Sequence, residues 1–242
     1  MISCDTVYQR VLALANKEQR GYITPQEFNL FANMAQMEIF EQYFYDLNQY
    51  HRLPNNGMEY SDILELLNEK ISIFKIQNST GVAQTTVNNV PAFILPSDMH
   101  RLGTVNILDA NGVRHEAIEV KYDKLLILQA SPLTAPSLER PVYYRRENRR
   151  IGVVTGAGLG SGNATVEISY IRRPLDAAWG YVIVNEKALY DATRSSNFEI
   201  HHSDMSELTF RIATYCGITM KQPQFTQVTG GMNISKQQQE KL

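Results

Sequence analysis

Cysteine is scarce in this chain of 242 residues, which contains only Cys4 and Cys216. Two thiols so far apart in sequence form neither the framework of a small disulfide-rich protein nor a pair of neighbouring zinc ligands. We expect both thiols to be reduced, as in a protein that assembles in a cytosol. The cysteine content therefore argues against disulfide-stabilised and zinc-finger proteins.

Long apolar runs and a dominant charge are also lacking. No run approaches the roughly 20 apolar residues that span a bilayer, and the N-terminal MISCDTVYQR lacks the basic and then apolar pattern of a signal peptide. The 25 acidic and 23 basic side chains give a formal net charge of -2, so there is no general attraction to DNA or to anionic membranes. We expect a soluble, folded protein, because 43% of the residues are hydrophobic and 20% are charged.

Helical patterns occupy the first part of the chain, residues 1–78. Apolar residues at intervals of three and four predict three helices, the longest of which begins at Pro25. Thr24 precedes this proline and Glu27 stands three positions after the threonine, which is the pattern of a capping box. The long helix carries two apolar stripes, which indicates burial on two sides.

The pattern changes in the middle of the chain. Residues 79–90 are polar and rich in Thr and Asn, so we predict a linker there. Residues 91–202 contain short β-type runs between turn residues, one of them at Leu125–Leu128, and Asp109–Gly112 predicts a hairpin turn. The chain is therefore predicted to be an α+β protein with a helical-bundle part and a β-rich part, either a sandwich or a barrel-like sheet.

Three features of the second half of the chain complete this domain plan. Glycine at every second position over 156–162 indicates an extended hairpin arm rich in Gly and Arg. A C-terminal helix is predicted over 203–222, packing back on the helical part. The last segment, 223–242, is rich in Gln, Thr, Gly and Lys, so we expect a flexible polar tail in the isolated chain.

Three features imitate ligand-binding motifs without completing them. The segment Asn16–Phe28 has Gly and Glu where an EF-hand calcium loop needs them, but Arg20 places a cation at a ligand position. The Gly-rich loop leads into a predicted strand, whereas a dinucleotide-binding loop leads into a helix. The five histidines form neither an HExxH motif nor a Cys-His cluster. We therefore predict no catalytic, cofactor or metal site.

Arginines cluster on both sides of the Gly-rich loop. The planar fork of donors in arginine suits phosphates in a DNA channel as well as carboxylates of an adjoining subunit. Subunit contact is the interpretation that we favour, and a solvated pair of strand edges protected by charge is the alternative. The predicted partner-binding residues are Arg145, Arg146, Arg149, Arg150, Arg172 and Arg173.

Several segments of the sequence carry a family resemblance: Gly21–Asn33 with Glu38–Phe44, Phe93–Leu102, Ile168–Pro174 and Phe198–Gly217. The amino-acid sequences of these segments resemble those of virion structural proteins of tailed bacteriophages, notably the head-to-tail connector ring or adaptor proteins of the crAss-like group. None of these segments is a catalytic motif. The resemblance therefore implies a non-enzymatic ring protein below the portal, with N-terminal helices followed by a small β domain.

The resemblance also implies the partners and the location of the chain. We expect a cyclic oligomer of about 12 copies that binds the portal protein and an adjacent ring or tail protein. Double-stranded DNA would pass non-specifically through the channel, no membrane would be involved, and the virion would assemble in the host cytoplasm. Two alternatives stay open: a tail-side structural or receptor-binding component, and a metal-dependent hydrolase or nuclease using Asp98 and His100.

Overall fold

The protein folds into two compact units. The structure is a computed structural model that describes residues 1–16, 23–52, 61–80, 83–87, 90–109, 111–147, 149–156, 165–219 and 223–239. Unit 1 comprises Met1–Ile73 with Pro174–Leu242, and unit 2 comprises Phe74–Arg173. Helices and sheets are both abundant, which confirms the predicted α+β class.

The helices and strands follow one another in a defined order along the chain. The described helices are α1 (Cys4–Asn16), α2 (Pro25–Arg52), α3 (Ser61–Ser72), α4 (Tyr122–Ala130), α5 (Met205–Thr219) and α6 (Pro223–Gln239). The described strands are β1 (Lys75–Ser79), β2 (Ala83–Val87), β3 (Val90–Ile94), β4 (Met99–Leu108), β5 (Arg114–Glu116), β6 (Ile118–Glu119), β7 (Val142–Arg146), β8 (Arg150–Val154), β9 (Thr165–Arg172), β10 (Tyr181–Val184) and β11 (Lys187–Tyr190).

Unit 1 is built around α2 and α5. The predicted capping box at the start of α2 is confirmed, because the Glu27 amide donates to Thr24 Oγ1 at 3.2 Å and the Thr24 amide donates to Glu27 Oε2 at 3.1 Å. Helix α5 packs against α1 and α2. The core between them consists of fully buried apolar side chains, including Val7, Val11, Phe28, Phe40, Leu208 and Ile212.

An extended segment after unit 2 is held along α2 by three side-chain amides. Asn29 accepts from the Trp179 amide at 2.8 Å, and Asn33 accepts from the Ala177 amide at 2.8 Å. One turn further along α2, Gln36 donates to the Leu175 carbonyl at 2.6 Å. The side chains thus satisfy backbone groups that a neighbouring strand would otherwise pair.

Unit 2 contains two sheets. One has the order β1-β9-β4-β5 and is antiparallel, and the other has the order β2-β3-β8-β7-β6 with a parallel pair only at β6-β7. Apolar residues of both sheets form one core, including Phe93, Val105, Tyr143, Ile151 and Ile168. The predicted hairpin turn between β4 and β5 is confirmed, since the Gly112 amide donates to the Asp109 carbonyl at 2.9 Å.

The predicted boundaries of the β-rich part need correction. The segment 79–90 is not a linker, because it contains β2 and the ends of β1 and β3. Strand β2 lies at the edge of its sheet, where threonine fits well and polar residues are common. Residues 174–202 belong to unit 1 and not to the β-rich unit, because the α2 amides bind their backbone.

Two further elements differ from the sequence-based expectations. The run Leu125–Leu128 lies in α4 rather than in a strand, since a short apolar run suits either state and leucine has a high helix propensity. Most of the segment 223–242 is not a free tail but forms α6, which packs against α5, with Thr214 donating to Thr229 at 3.0 Å. Residues 157–164 of the Gly-rich arm lie outside the described residues.

Candidate interaction surfaces

The turn between β7 and β8 gathers three of the predicted arginines. Arg146 and Arg150 are register partners at the ends of the two strands, and Arg149 lies between them in the left-handed region with φ of 53°. The Arg149 carbonyl accepts from the Leu95 amide at 2.9 Å, and its guanidinium donates to the Ser97 carbonyl at 2.9 Å. The β7-β8 turn is therefore fixed to the turn that precedes β4.

The end of β9, which belongs to the other sheet, also contacts the turn that precedes β4. Arg172 pairs with Met99 in the β4-β9 ladder, and the Arg173 amide donates to the Asp98 carbonyl at 2.7 Å. The turn at 96–98 thus joins two groups of arginines that are far apart in sequence. We call this part of unit 2 the arginine end, which comprises Arg146, Arg149, Arg150, Arg172 and Arg173.

Arg145, the sixth predicted residue, has a different environment. It donates from Nε to Glu119 Oε1 at 2.8 Å, and Tyr143 donates to the other oxygen of this carboxylate at 3.1 Å. The hydrogen bond from Arg145 lowers the pKa of Glu119, while burial and the bond to Glu119 raise the pKa of Tyr143 to about 12. Arg145 is therefore paired within unit 2.

The arginine end is suited to binding an anionic surface. The side chains of Arg149 and Arg173 are exposed, and those of Arg146, Arg150 and Arg172 are half-buried. Arg146 lies over the Tyr144 ring at 5.7 Å, which restricts its guanidinium. Clustered guanidinium groups bind carboxylates or phosphates, and such binding weakens with salt.

The residues of the hydrolase alternative lie beside the arginine end. Asp98 accepts from the Tyr170 hydroxyl at 3.4 Å, and His100 lies in β4. Within the described ranges, no three His, Cys, Asp or Glu side chains come together in a way that could hold a metal ion. Asp98 contributes to the turn that joins the two groups of arginines.

Unit 1 carries a second surface. Strands β10 and β11 form a two-stranded hairpin joined by a two-residue turn. Its apolar side chains are largely exposed, with exposed fractions of 41% for Val182, 68% for Ile183, 46% for Val184 and 53% for Leu189. We call the segment Tyr181–Tyr190 the apolar hairpin.

The base of the apolar hairpin is anchored by a buried tryptophan. Trp179 stacks on Tyr181 at 6.0 Å and contacts Tyr190 at 5.8 Å between ring centroids. Its indole Nε1 donates to Asp5 Oδ1 at 3.0 Å, which ties the segment to α1. Since isolated two-stranded hairpins are marginal in water, this anchor explains how the hairpin is held at its base.

The tip of the apolar hairpin has a strained conformation. Asn185 has φ of 50° and Glu186 has φ of 62°, the pattern of a type I′ turn. Asparagine adopts this region readily, but the second position favours glycine. A glutamate there costs about 1–2 kcal/mol.

A groove lies between α1 and α5 in the same unit. Its volume is about 330 Å³, and its wall consists of Arg10, Ala13, Leu14, Ser206, Thr209 and Phe210. Phe210 and Leu14 are half-buried, and Arg10 is exposed at the rim. The groove is therefore a mostly apolar depression with a cation at its edge.

A buried ion pair lies at another face of unit 1. Lys70 Nζ is 2.8 Å from Asp204 Oδ1, with exposed side-chain fractions of 8% and 1%. Burial raises the pKa of Asp204, but hydrogen bonds from Lys70, Tyr43 and Ser203 outweigh burial, so the pKa lies below its ordinary value. The neighbouring cavity of about 230 Å³ has a mixed lining of polar side chains, among them Tyr43, Asp46, Lys70 and Glu207, and of apolar side chains from α2 and α3. We interpret the pair of Lys70 and Asp204 as a structural ion pair and not as a binding site, because the two charges compensate each other.

Comparisons with known proteins do not place the chain in a family. No model of a known protein family matches the chain, and no curated protein sequence matches it either. In the part of the chain that the structure describes, no helix has the length and apolar character needed to cross a membrane.

Proposed function

We propose that the chain is a non-enzymatic structural subunit of a phage head-to-tail connector. Its copies form a ring below the portal, around the DNA channel, and join portal-side and tail-side proteins. The observation that carries this proposal is the apolar hairpin, whose side chains are exposed in the single chain. Contiguous exposed apolar surface is typical of proteins that bury it against another protein. The segments that resemble connector proteins support the choice of assembly.

In this proposal the arginine end contacts an anionic neighbour. Its five arginines come from two sheets, and the turn at 96–98 holds the two groups together through the Arg149 guanidinium and the Arg173 backbone amide. In a connector the neighbour is either a carboxylate-rich surface of an adjoining protein or the phosphates of the passing genome. Because both are bound through charge, the contact weakens as the salt concentration rises.

The oligomeric state tests the proposal directly. We would measure the mass of the purified chain by light scattering, alone and with its candidate portal protein, and image large species by negative stain. The expected result is a closed ring of about 12 copies, either alone or on the portal. A monomer under both conditions would contradict the proposal, and a trimer would point to a tail-side component.

The role of the arginine end needs its own experiment. The variant Arg149→Glu/Arg173→Glu reverses two exposed charges in this end. We expect weaker binding to the portal or to double-stranded DNA, with a smaller dependence on salt. The variant Lys121→Glu/Lys124→Glu changes the net charge by the same amount at other exposed positions of unit 2 and serves as the control. Equal effects of the two variants would assign the binding to net charge and not to the arginine end.

A further inference from the structure

The apolar hairpin and the α1-α5 groove adjoin different faces of α1. Asp5 binds Trp179 at the base of the hairpin, whereas Leu14 lines the groove. At about 100° per residue, Leu14 lies about 180° from Asp5 around the helix axis, and the other two α1 residues of the groove, Arg10 and Ala13, lie about 140° and 80° from it. Two different surfaces on one unit are what a head-to-tail contact between copies requires.

The charges at the hairpin tip and the groove rim are complementary. Glu186 is exposed at the tip, and Arg10 is exposed at the rim of the groove. Neither side chain forms an ion pair with another described residue. A copy that inserts its hairpin tip into a neighbour's groove brings these charges together.

The backbone of Glu186 is a second, independent indication. Its φ of 62° is a conformation that glycine adopts at lower cost, so the glutamate is unfavourable for the fold of the hairpin itself. Strained residues of this kind cluster at functional sites, where another interaction compensates for the strain. An ion pair with a neighbouring copy provides such an interaction.

We propose that the apolar hairpin of one copy docks in the α1-α5 groove of the next copy, with Glu186 pairing with Arg10 of that copy. The exposed side chains of Ile183 and Val184 then contact Leu14 and the other apolar residues of the groove. This inference rests on the proposed function, since it assumes self-association. It adds the surfaces and the polarity of the contact: each copy gives a hairpin to one neighbour and receives one from the other.

A charge-swap experiment tests the docking. We expect Glu186→Arg and Arg10→Glu each to weaken self-association at least about tenfold, because each places like charges in contact. Mixing the two variants should restore assembly, since every hairpin of one variant meets a groove of opposite charge in the other. The exposed substitution Glu65→Arg on α3 is the control and should leave assembly unchanged.

Two more variants separate docking from folding. Glu186→Gly should raise the stability of the chain, because glycine suits the turn, and should still weaken self-association. Ile183→Ser should weaken self-association, while Leu133→Ser, at a side chain 83% exposed in unit 2, should not. If Glu186 served only the fold of the hairpin, Glu186→Gly would change the stability of the chain and its self-association in the same direction.

The outcomes distinguish this inference from the proposed function. Rings that form normally in both single charge variants would overturn the docking and leave the ring proposal standing. Weak assembly that the mixture does not restore would overturn the pairing of hairpin and groove. A wild-type chain that stays monomeric with and without portal would overturn both proposals.

Discussion

Replacing Lys70 with methionine tests whether the buried ion pair with Asp204 stabilises unit 1. Methionine keeps the length of the side chain and its helix propensity but removes the cation. Asp204, with 1% of its side chain exposed, would then keep its hydrogen bonds from Tyr43 and Ser203 without a counter-ion. Breaking a buried pair in this way costs roughly 3–5 kcal/mol. The additional change Asp204→Asn should recover much of this loss, because no buried charge remains.

The pH dependence of this variant gives a second and sharper readout. In the wild type the pKa of Asp204 lies below its ordinary value of 3.8, so the contribution of Asp204 to stability is lost only as pH falls below that value. Burial raises the pKa of Asp204, and the interaction with Lys70 opposes this effect. We therefore expect the pKa of Asp204 to rise when Lys70 is replaced. A carboxylate with a raised folded-state pKa destabilises the fold at neutral pH and less so on acidification. The difference between wild type and variant should therefore shrink as pH falls from neutral towards 3.8.

Urea unfolding followed by the fluorescence of Trp179 is the suitable assay. Trp179 is the only tryptophan and lies in unit 1 with the ion pair, so its signal reports on that unit. The exposed substitution Lys124→Met on α4 controls for loss of a positive charge. A penalty below about 1 kcal/mol for Lys70→Met, or one that does not change with pH, would refute the reasoning.

Three other predictions concern single positions. Burial raises the pKa of the Cys4 and Cys216 thiols to about 12, so both should react slowly with a thiol reagent until the chain unfolds, and fast reaction of the native protein would contradict their burial. Gly156→Ala should destabilise unit 2 by more than about 1 kcal/mol in urea unfolding, because φ is 74° and the new Cβ would lie 2.3 Å from the Pro136 carbonyl oxygen. Thr24→Ala should cost about 1 kcal/mol through loss of the α2 cap, whereas Thr24→Ser should cost much less.

Features that depend on neighbouring residues could be predicted from the sequence. The cap of α2 needs only Thr24 and Glu27, which are three positions apart, and the turn at Gly112 needs only its own four residues. The helix α4 could not be predicted in this way, because its run of leucines fits a strand equally well. Its single buried residue, Leu125, packs against strands that are distant in sequence.

Features that depend on distant pairs could not be predicted from local patterns. Asn29 and Trp179 are 150 residues apart, and the asparagine gives no local sign that it binds a backbone strand. The three polar residues Asn29, Asn33 and Gln36 recur on one face of α2, and this spacing was the only sign in the sequence of a bound backbone segment. Polar residues at this spacing also suit a solvated helix face. The boundary at residue 174 also depends on distant contacts and could not be predicted. The segment 174–202 contains β-type runs but packs in the helical unit.

The arginines show how local and distant information combine. Their clustering in sequence predicted a charged region, but not which of them would meet. Arg145 and Arg146 are adjacent, yet alternation along β7 points their side chains to opposite faces, and only Arg145 pairs with Glu119. Arg149 and Arg173 meet at the turn 96–98, which no pattern in either arginine segment indicates.

The apolar hairpin combines an anchored base with exposed side chains. Its base is held by Trp179, and its turn is already formed in the single chain, so the proposed docking requires less ordering than the binding of a loop without secondary structure. For the same contact area, a preformed hairpin binds a matching groove more tightly than a loop that must order on binding, and this favours the proposed docking through Ile183 and Val184. In the proposed docking the tip and the groove belong to one unit, so every contact repeats the same rotation between copies, and a repeated heterologous contact closes into a ring when that rotation divides a full turn.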